Sequence, residues 1–324
     1  MADDYALWQG RLPQFNLDNN GQTDSIHWSG RKRIFLEGKT DYDIITKYWF
    51  TSDDVIEFYH DKTNSGGCKW VIEQVREHPD TFGIIDRDVL LCNDFLHIFF
   101  ETDDIKYLNS NPIHSNILIF THYEIENFLF DISSIYKIIT LREKKLYNET
   151  NVESESELRD IIIDIFYKII LIDSLSAVFR INSLAHASVL NSDFALDMNS
   201  RSNLCKSLKK TIARWVNNPP DKVDSDRLLS VFGTTDKSQI LELMYQHFQQ
   251  MYAKYSLFDL GPRSNSHDCY CSLLRILDGK RIMSFIKSYF EISDSFILDS
   301  ANNIAIERKI PKELTDFISK IKSN

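Results

Sequence analysis

Three acids stand in this chain where they could do chemistry together. Glu37 follows the apolar run Ile34-Phe35-Leu36, and Asp86 and Asp88 follow a second run, Gly83-Ile84-Ile85. Both runs read as short strands that end in acid. In an open α/β sheet the carboxyl ends of neighbouring parallel strands line one crevice, and ligands bind there. Carboxylates gathered in a crevice repel one another unless a cation neutralises them. Mg²⁺ favours a few carboxylate oxygens together with waters and substrate phosphates. The residue types therefore point to metal-dependent phosphoryl transfer. Each acid alone has a plainer reading: Glu37-Gly38 can simply end a strand, Asp41 can offset a helix dipole, and an Asp-x-Asp pair can be a turn or the metal site of a sugar-nucleotide enzyme. The two together, each behind an apolar run, favour the shared site.

Gly38-Lys39-Thr40 also matches the end of the nucleotide-binding pattern G-x-x-x-x-G-K-[ST]. That reading fails on the first glycine, because Arg33 occupies its place. Residues 34–36 are moreover strand-like, whereas the pattern needs a loop that wraps phosphates.

Positioning these acids requires strands, expected at about 33–37, 55–60, 82–86 and 117–121. Helices are expected between them at 41–50, 67–78 and near 102–109. Such alternation gives a mostly parallel sheet flanked by helices, a Rossmann-like α/β class. Beyond Glu124 the apolar period changes to 3.6. Ser154-x-x-Glu157 is a capping box, after which Leu158, Ile161, Ile162, Ile165, Ile169 and Ile172 fall on one helical face. Further helices are expected near 201–217, ended by Asn217-Asn218-Pro219-Pro220, and then at 237–255, 268–291 and 311–322. Asn19-Asn20-Gly21 marks a turn in a loose β-hairpin over 1–30. The polar stretch 145–156 suggests a boundary, so the expected division is an extension at 1–30, an α/β domain at 31–145 and an all-α domain at 146–324.

With 324 residues, 43% of them hydrophobic, the chain can bury a sizeable core. Its net charge of −10 argues against broad, tight, nonspecific DNA binding, because Lys and Arg contacts to phosphate dominate such affinity. Local basic stretches remain at Arg31-Lys32-Arg33, Arg142-Glu143-Lys144-Lys145 and Lys206-Ser207-Leu208-Lys209-Lys210, each of which can equally be a solvated face. Five cysteines without disulfide-like spacing favour a reducing compartment. His267-Asp268-Cys269-Tyr270-Cys271 lacks a second metal-binding arm and reads as a partly buried core segment. Met1-Ala2-Asp3-Asp4 does not resemble a signal peptide. The longest apolar run, Ile161 to Ile172, holds Asp164 and Lys168 and is too short to span a bilayer. A cytoplasmic protein with no membrane segment is the expectation.

Acid-Gly after the first strand and Asp-x-Asp after the third resemble the pattern of Toprim domains, the metal-binding module of topoisomerases, primases and the overcoming-lysogenization-defect nucleases. The likeness is closest to the small-Toprim group encoded beside ABC-type ATPases, which includes the effector subunit of PARIS-type antiphage systems. It rests on Leu36-Glu37-Gly38-Lys39-Thr40-Asp41, Gly66-Gly67-Cys68-Lys69, Gly83-Ile84-Ile85-Asp86-Arg87-Asp88, Tyr123-Glu124-Ile125-Glu126-Asn127-Phe128 and the late pair Gly279-Lys280. Residues 34 to about 130 match well and 131–324 only loosely. The third closely spaced aspartate of topoisomerase Toprims is missing, which speaks against strand passage.

The resemblance implies a Toprim fold and a Mg²⁺- or Mn²⁺-dependent endonuclease. Glu37 would be the general acid/base or a metal-bridging residue, and Asp86 and Asp88 would be catalytic metal ligands. Asp41 and Glu126 would support a second metal, with Glu124 competing for the role of Glu126 and Asn127 supporting them. Lys39, Arg87 and Lys280 would contact substrate. Two Mg²⁺ ions about 4 Å apart can activate water and stabilise the leaving oxygen of a phosphodiester. The family setting further implies a toxic antiviral effector that cleaves RNA, tRNA in particular, that an ABC-type ATPase restrains, and that is a homodimer when active. Two other classes stay open: a non-catalytic interaction subunit of an ATPase complex, and a DNA nickase or primase-like enzyme.

Overall fold

The computed structural model describes residues 31–51, 54–62, 66–146, 152–182, 200–217, 230–259, 265–293 and 295–323. The hairpin expected over 1–30 and the prolines after Asn217 lie outside them. Among the described residues four strands form the sheet: β1 (Lys32–Leu36), β2 (Ile56–His60), β3 (Thr81–Ile85) and β4 (Ile117–Ile119). All pairings are parallel, in the order β2-β1-β3-β4. This bears out the α/β class with a helical region after it.

The strand order reverses direction between β1 and β3, and in doubly wound sheets that switch point is where the crevice opens. The connection from β1 to β2 runs over one face. After β1 come α1 (Lys39–Ile44) and a π-helical turn at Ile45–Trp49. They cover Ile34, Leu36, Ile84 and Leu118. Helix α2 (Gly67–Glu77) joins β2 to β3 across the other face, packing with Phe35, Ile85, Ile117 and Ile119. Both faces being covered explains why these strands are nearly continuous apolar runs and do not alternate with polar residues. Gly83 is where α2 comes closest: an added Cβ would stand 2.6 Å from a Val71 methyl.

Short helices α3 (Leu96–Phe99), α4 (Asp104–Asn109) and α5 (Ile125–Phe128) flank β4, followed by α6 (Ile132–Leu146). Helix α7 (Glu155–Ile181) then forms the axis of the helical region. Its Ser154 cap accepts the Glu157 amide at 3.2 Å, while Glu157 reaches back to the Glu153 amide at 2.7 Å. The single apolar face read from sequence is too narrow. Almost every residue from Ile169 to Phe179 is buried, because α6, α8 (Arg201–Asn217), α9 (Lys237–Tyr255), α10 (Ser266–Leu273) and α11 (Gly279–Tyr289) surround the helix. A helix buried on all sides shows no apolar stripe.

One expectation needs correction. The helix expected over 268–291 is two helices, α10 and α11, because Asp278 accepts the Arg281 amide at 2.8 Å and so caps a new start at Gly279. Elements from both sides of the division expected at 145/146 pack together. Ala301 and Ile304 of α12 (Phe296–Ile306), and Leu314, Ile318 and Ile321 of α13 (Lys312–Ser323), share one core with the sheet. Glu313 at the start of α13 accepts the Thr121 amide at 3.0 Å, just beyond β4. Among the described residues no helix is long and apolar enough to cross a membrane.

Candidate functional site

The acids meet at the carboxyl ends of β1 and β3. Because Leu36 pairs with Ile84, Glu37 stands beside the start of the β3 loop, and its Oε1 accepts the Asp86 amide at 2.8 Å. Asp41, one turn into α1, accepts the Gly38 amide at 3.1 Å and turns its carboxyl towards the same crevice. Past β4 the chain enters α5, a single turn that presents Glu124 and Glu126, both buried. With Asp88, six carboxylates among the described residues lie around one crevice. Burial and their neighbours raise the proton affinity of four of them. Burial, and then Asp88 and Asp41 against the opposing Asp86 amide and Lys280, push Glu37 up to about 8. Burial and Glu126 push Asp41 up to about 7. Burial, Glu37 and Asp41 raise Asp86 well above the usual carboxylate range, and burial and Glu126 do the same to Glu124.

Lys280 is the counter-charge. Its backbone amide donates to Glu124 Oε1 at 2.6 Å, and its ammonium lies 2.5 Å from Glu124 Oε2 and 3.7 Å from Glu126 Oε1. The side chain nevertheless keeps 64% of its surface exposed, so solvent or a ligand can reach it. Asn127 holds the two halves together: its Nδ2 donates to the carbonyls of Leu274 and Leu277 at 2.8 Å each, and its Oδ1 accepts the Glu124 amide at 3.2 Å. Glycine is required where α11 approaches. A Cβ on Gly279 would fall 2.3 Å from Asn127 Oδ1 and 3.2 Å from the Asn127 backbone nitrogen. Gly279→Ala is therefore expected to push α11 off the acid loop. Overpacking of this kind costs about 1–3 kcal/mol, and thermal denaturation would read it as a lowered midpoint. An unchanged midpoint would mean that the loop yields freely.

Sequence reasoning separated Glu124 from Glu126 no further than naming both. The structure distinguishes them: Glu124 has both oxygens engaged by Lys280, whereas Glu126 Oε2 is buried without a hydrogen-bond partner. Asp86 Oδ1 is orphaned in the same way. Buried oxygens of this kind are what a cation would satisfy. As arranged, however, no three His, Cys, Asp or Glu side chains among the described residues close on a single point fit for a metal ion. The donor set fits a hard cation in chemistry; small side-chain movements would have to bring the oxygens together.

Arg87 is not available to a substrate. It is fully buried, its guanidinium donating to the carbonyls of Phe99, Thr121 and Glu101 and lying 4.1 Å from the Tyr107 ring centre. Burial lowers its pKa to about 10. Arg87 braces the turn that aims Asp86 and Asp88, a structural duty that an alternating strand-end reading cannot foresee. Lys39 is exposed on the first turn of α1. The Gly66-Gly67 turn, with Gly67 at φ +47°, brings the start of α2 so close that a Gly67 Cβ would lie 3.8 Å from Glu37 Oε2. Cys68 beside it is an unreactive thiol, since burial, Glu37 and Asp88 push it up to about 12. Cys269 is buried near Asp259, whereas Cys271 is exposed beside His267. The two sulfurs face different neighbours.

Sequence reasoning missed Arg180. It closes α7 and donates to Asp88 Oδ2 at 3.0 Å, to the Asp88 carbonyl at 3.2 Å and to the Tyr123 hydroxyl at 2.9 Å. Nothing in the local sequence signals a partner so distant in the chain. No protein-family model, curated protein or solved structure matches this chain.

Proposed function

We propose that this protein is a Toprim-type, metal-dependent endonuclease. One observation carries the reading: carboxylates from the ends of β1 and β3 and from the turn after β4 converge at the sheet's switch point, with Asp86 Oδ1 and Glu126 Oε2 left unsatisfied. Glu37, Asp41, Asp86, Asp88 and Glu126 would hold Mg²⁺ or Mn²⁺, which would supply an activated water and charge stabilisation at the phosphate. The residues themselves do the rest. Glu37 accepts the Asp86 amide at Oε1; without a cation, burial and the neighbouring acids push it up to about 8, so it holds a proton near neutral pH that a bound cation would have to displace. Lys280, exposed yet anchored on Glu124, can meet a phosphate oxygen, and the first amides of α2 add a positive dipole end beside Glu37.

RNA, and tRNA in particular, is the favoured substrate. A net charge of −10 suits a structured target read by shape and a few phosphate contacts better than long duplex DNA. An ABC-type ATPase would restrain the enzyme, as in antiphage defence, in the cytoplasm. The interaction-subunit reading draws on the lack of a closed metal-binding triad among the described residues.

The test is incubation of purified protein with total RNA, tRNA and plasmid DNA in Mg²⁺ or Mn²⁺, beside EDTA and Glu37→Ala controls. Metal-dependent cutting that Glu37→Ala loses is expected. Persistent silence with the ATPase and its trigger present would transfer the assignment to the interaction subunit; preferred nicking of DNA would transfer it to the DNA-processing class.

A further inference from the structure

Asp88 differs from the other acids in the crevice. Asp86 is nearly buried and has an unpartnered oxygen, whereas the Asp88 side chain is 30% exposed and already neutralised by Arg180, itself 22% exposed. The guanidinium spends two of its N–H donors on Asp88, one on the carboxylate and one on the backbone carbonyl, and a third on Tyr123. It thereby fixes both the position and the orientation of the carboxylate. Tyr123 in turn accepts the Arg87 amide on its carbonyl at 3.0 Å, so the contact ties the end of α7 to the turn that carries Asp86 and Asp88. The carboxylate that Arg180 grips is one that a cation would need, and one carboxylate oxygen cannot serve a guanidinium and a divalent ion equally well.

We propose that Arg180 is a positioning residue of the acid site: it holds Asp88 while no cation is bound, competes with a divalent cation for that carboxylate, and so ties metal occupancy to the seating of α7. The proposal rests on the reading of these acids as metal ligands. Physically, a unit positive charge against one ligand raises the free energy of bringing in a second cation. Helix α7 is the axis on which the helical region is packed, so a partner that shifts its end would change Asp88 directly.

The test is isothermal calorimetry with Mg²⁺ alone, on full-length wild type, Arg180→Met, Arg180→Lys, Asp88→Asn and the Arg180→Met/Asp88→Asn double variant, with thermal midpoints measured alongside. Arg180→Met is expected to bind Mg²⁺ about tenfold more tightly than wild type, the order of effect of removing one charge at this range in a partly solvated site. Arg180→Lys, which keeps the charge, is expected near wild type, and the gain from Arg180→Met is expected to vanish in the Asp88→Asn background. A purely structural role would move the numbers otherwise: Arg180→Met would lower the midpoint and leave Mg²⁺ affinity unchanged or weaker. Should Arg180→Met fail to fold, Arg180→Gln serves the same comparison. Binding that Asp88→Asn weakens and that neither neutral Arg180 variant strengthens overturns this proposal alone. No Mg²⁺ binding in any variant overturns the metal reading beneath it.

Discussion

Asp86→Asn is expected to reduce phosphodiester cleavage by about 10²–10³-fold while raising the thermal midpoint of the metal-free protein by a few degrees at about pH 8. Loss of activity follows from removing a buried carboxylate oxygen of the crevice that has no hydrogen-bond partner. Gain of stability follows from the company Asp86 keeps. Glu37, Asp41 and Glu124 all raise its proton affinity, as does burial, and its Oδ1 has no hydrogen-bond partner. A neutral isostere removes that repulsion without opening a cavity. Asp88→Asn, the same chemical change two residues on, is expected to lower the midpoint slightly, because it strips Arg180 of its carboxylate partner. The pair is only partly buried, so solvent screening keeps the loss to about 1 kcal/mol or less. Thermal denaturation in EDTA checks both signs. A large destabilisation by Asp86→Asn would make Asp86 a structural residue and remove it from the site.

The opposite signs expected at Asp86 and Asp88 mark how far the sequence could be read. Strands 32–36, 56–60, 81–85 and 117–119 fall within a residue or two of the apolar runs that announced them, because both faces of a parallel sheet are buried and the pattern is then local. The meeting of Glu37 with Asp86 was legible for the same reason: strand ends plus topology place them. What surrounds the acids was not. Arg87 sits inside Asp-x-Asp and so reads as a surface cation, yet it satisfies the carbonyls of Phe99, Glu101 and Thr121, a partnership decided by loops that carry no periodic signal. Lys280 was legible as a residue but not as the counter-ion of Glu124 and Glu126, and Arg180 not at all. Lys280 lies 156 positions from Glu124 and Arg180 lies 92 from Asp88, and pairing at that range is set by tertiary packing. Helix α7 shows the same limit from the apolar side: total burial erases the stripe that makes a helix face readable.

Charge crowding has a second consequence, which can be measured without substrate. The metal-free protein is expected to lose stability as pH rises from about 5.5 to about 8.5, by on the order of 5 °C in thermal midpoint, against the common trend for carboxylate-rich proteins. The sign comes from the raised pKa values. Glu37 moves from 4.5 to about 8 and Asp41 from 3.8 to about 7 on folding, both chiefly through burial; Asp173 and Glu313, also buried, rise to about 7. Between the unfolded and folded values the folded chain binds more protons than the unfolded one, so each rise in pH favours unfolding. The stability these groups permit is fully present below about pH 4 and is lost through pH 7 to 8. Asp131 and Glu307, whose pKa values are lowered by Ser133, Lys137 and Lys309, act the other way at the acid end and place the optimum between the two ranges. Mg²⁺ should reverse the trend. Its ligands must be deprotonated, so the midpoint gained on adding Mg²⁺ is expected to be larger at pH 8.5 than at pH 5.5, the gain growing with occupancy of the folded state alone. A metal-free midpoint that rises towards alkaline pH would mean that these carboxylates are already ionised and solvated, leaving no stored repulsion for a cation to relieve.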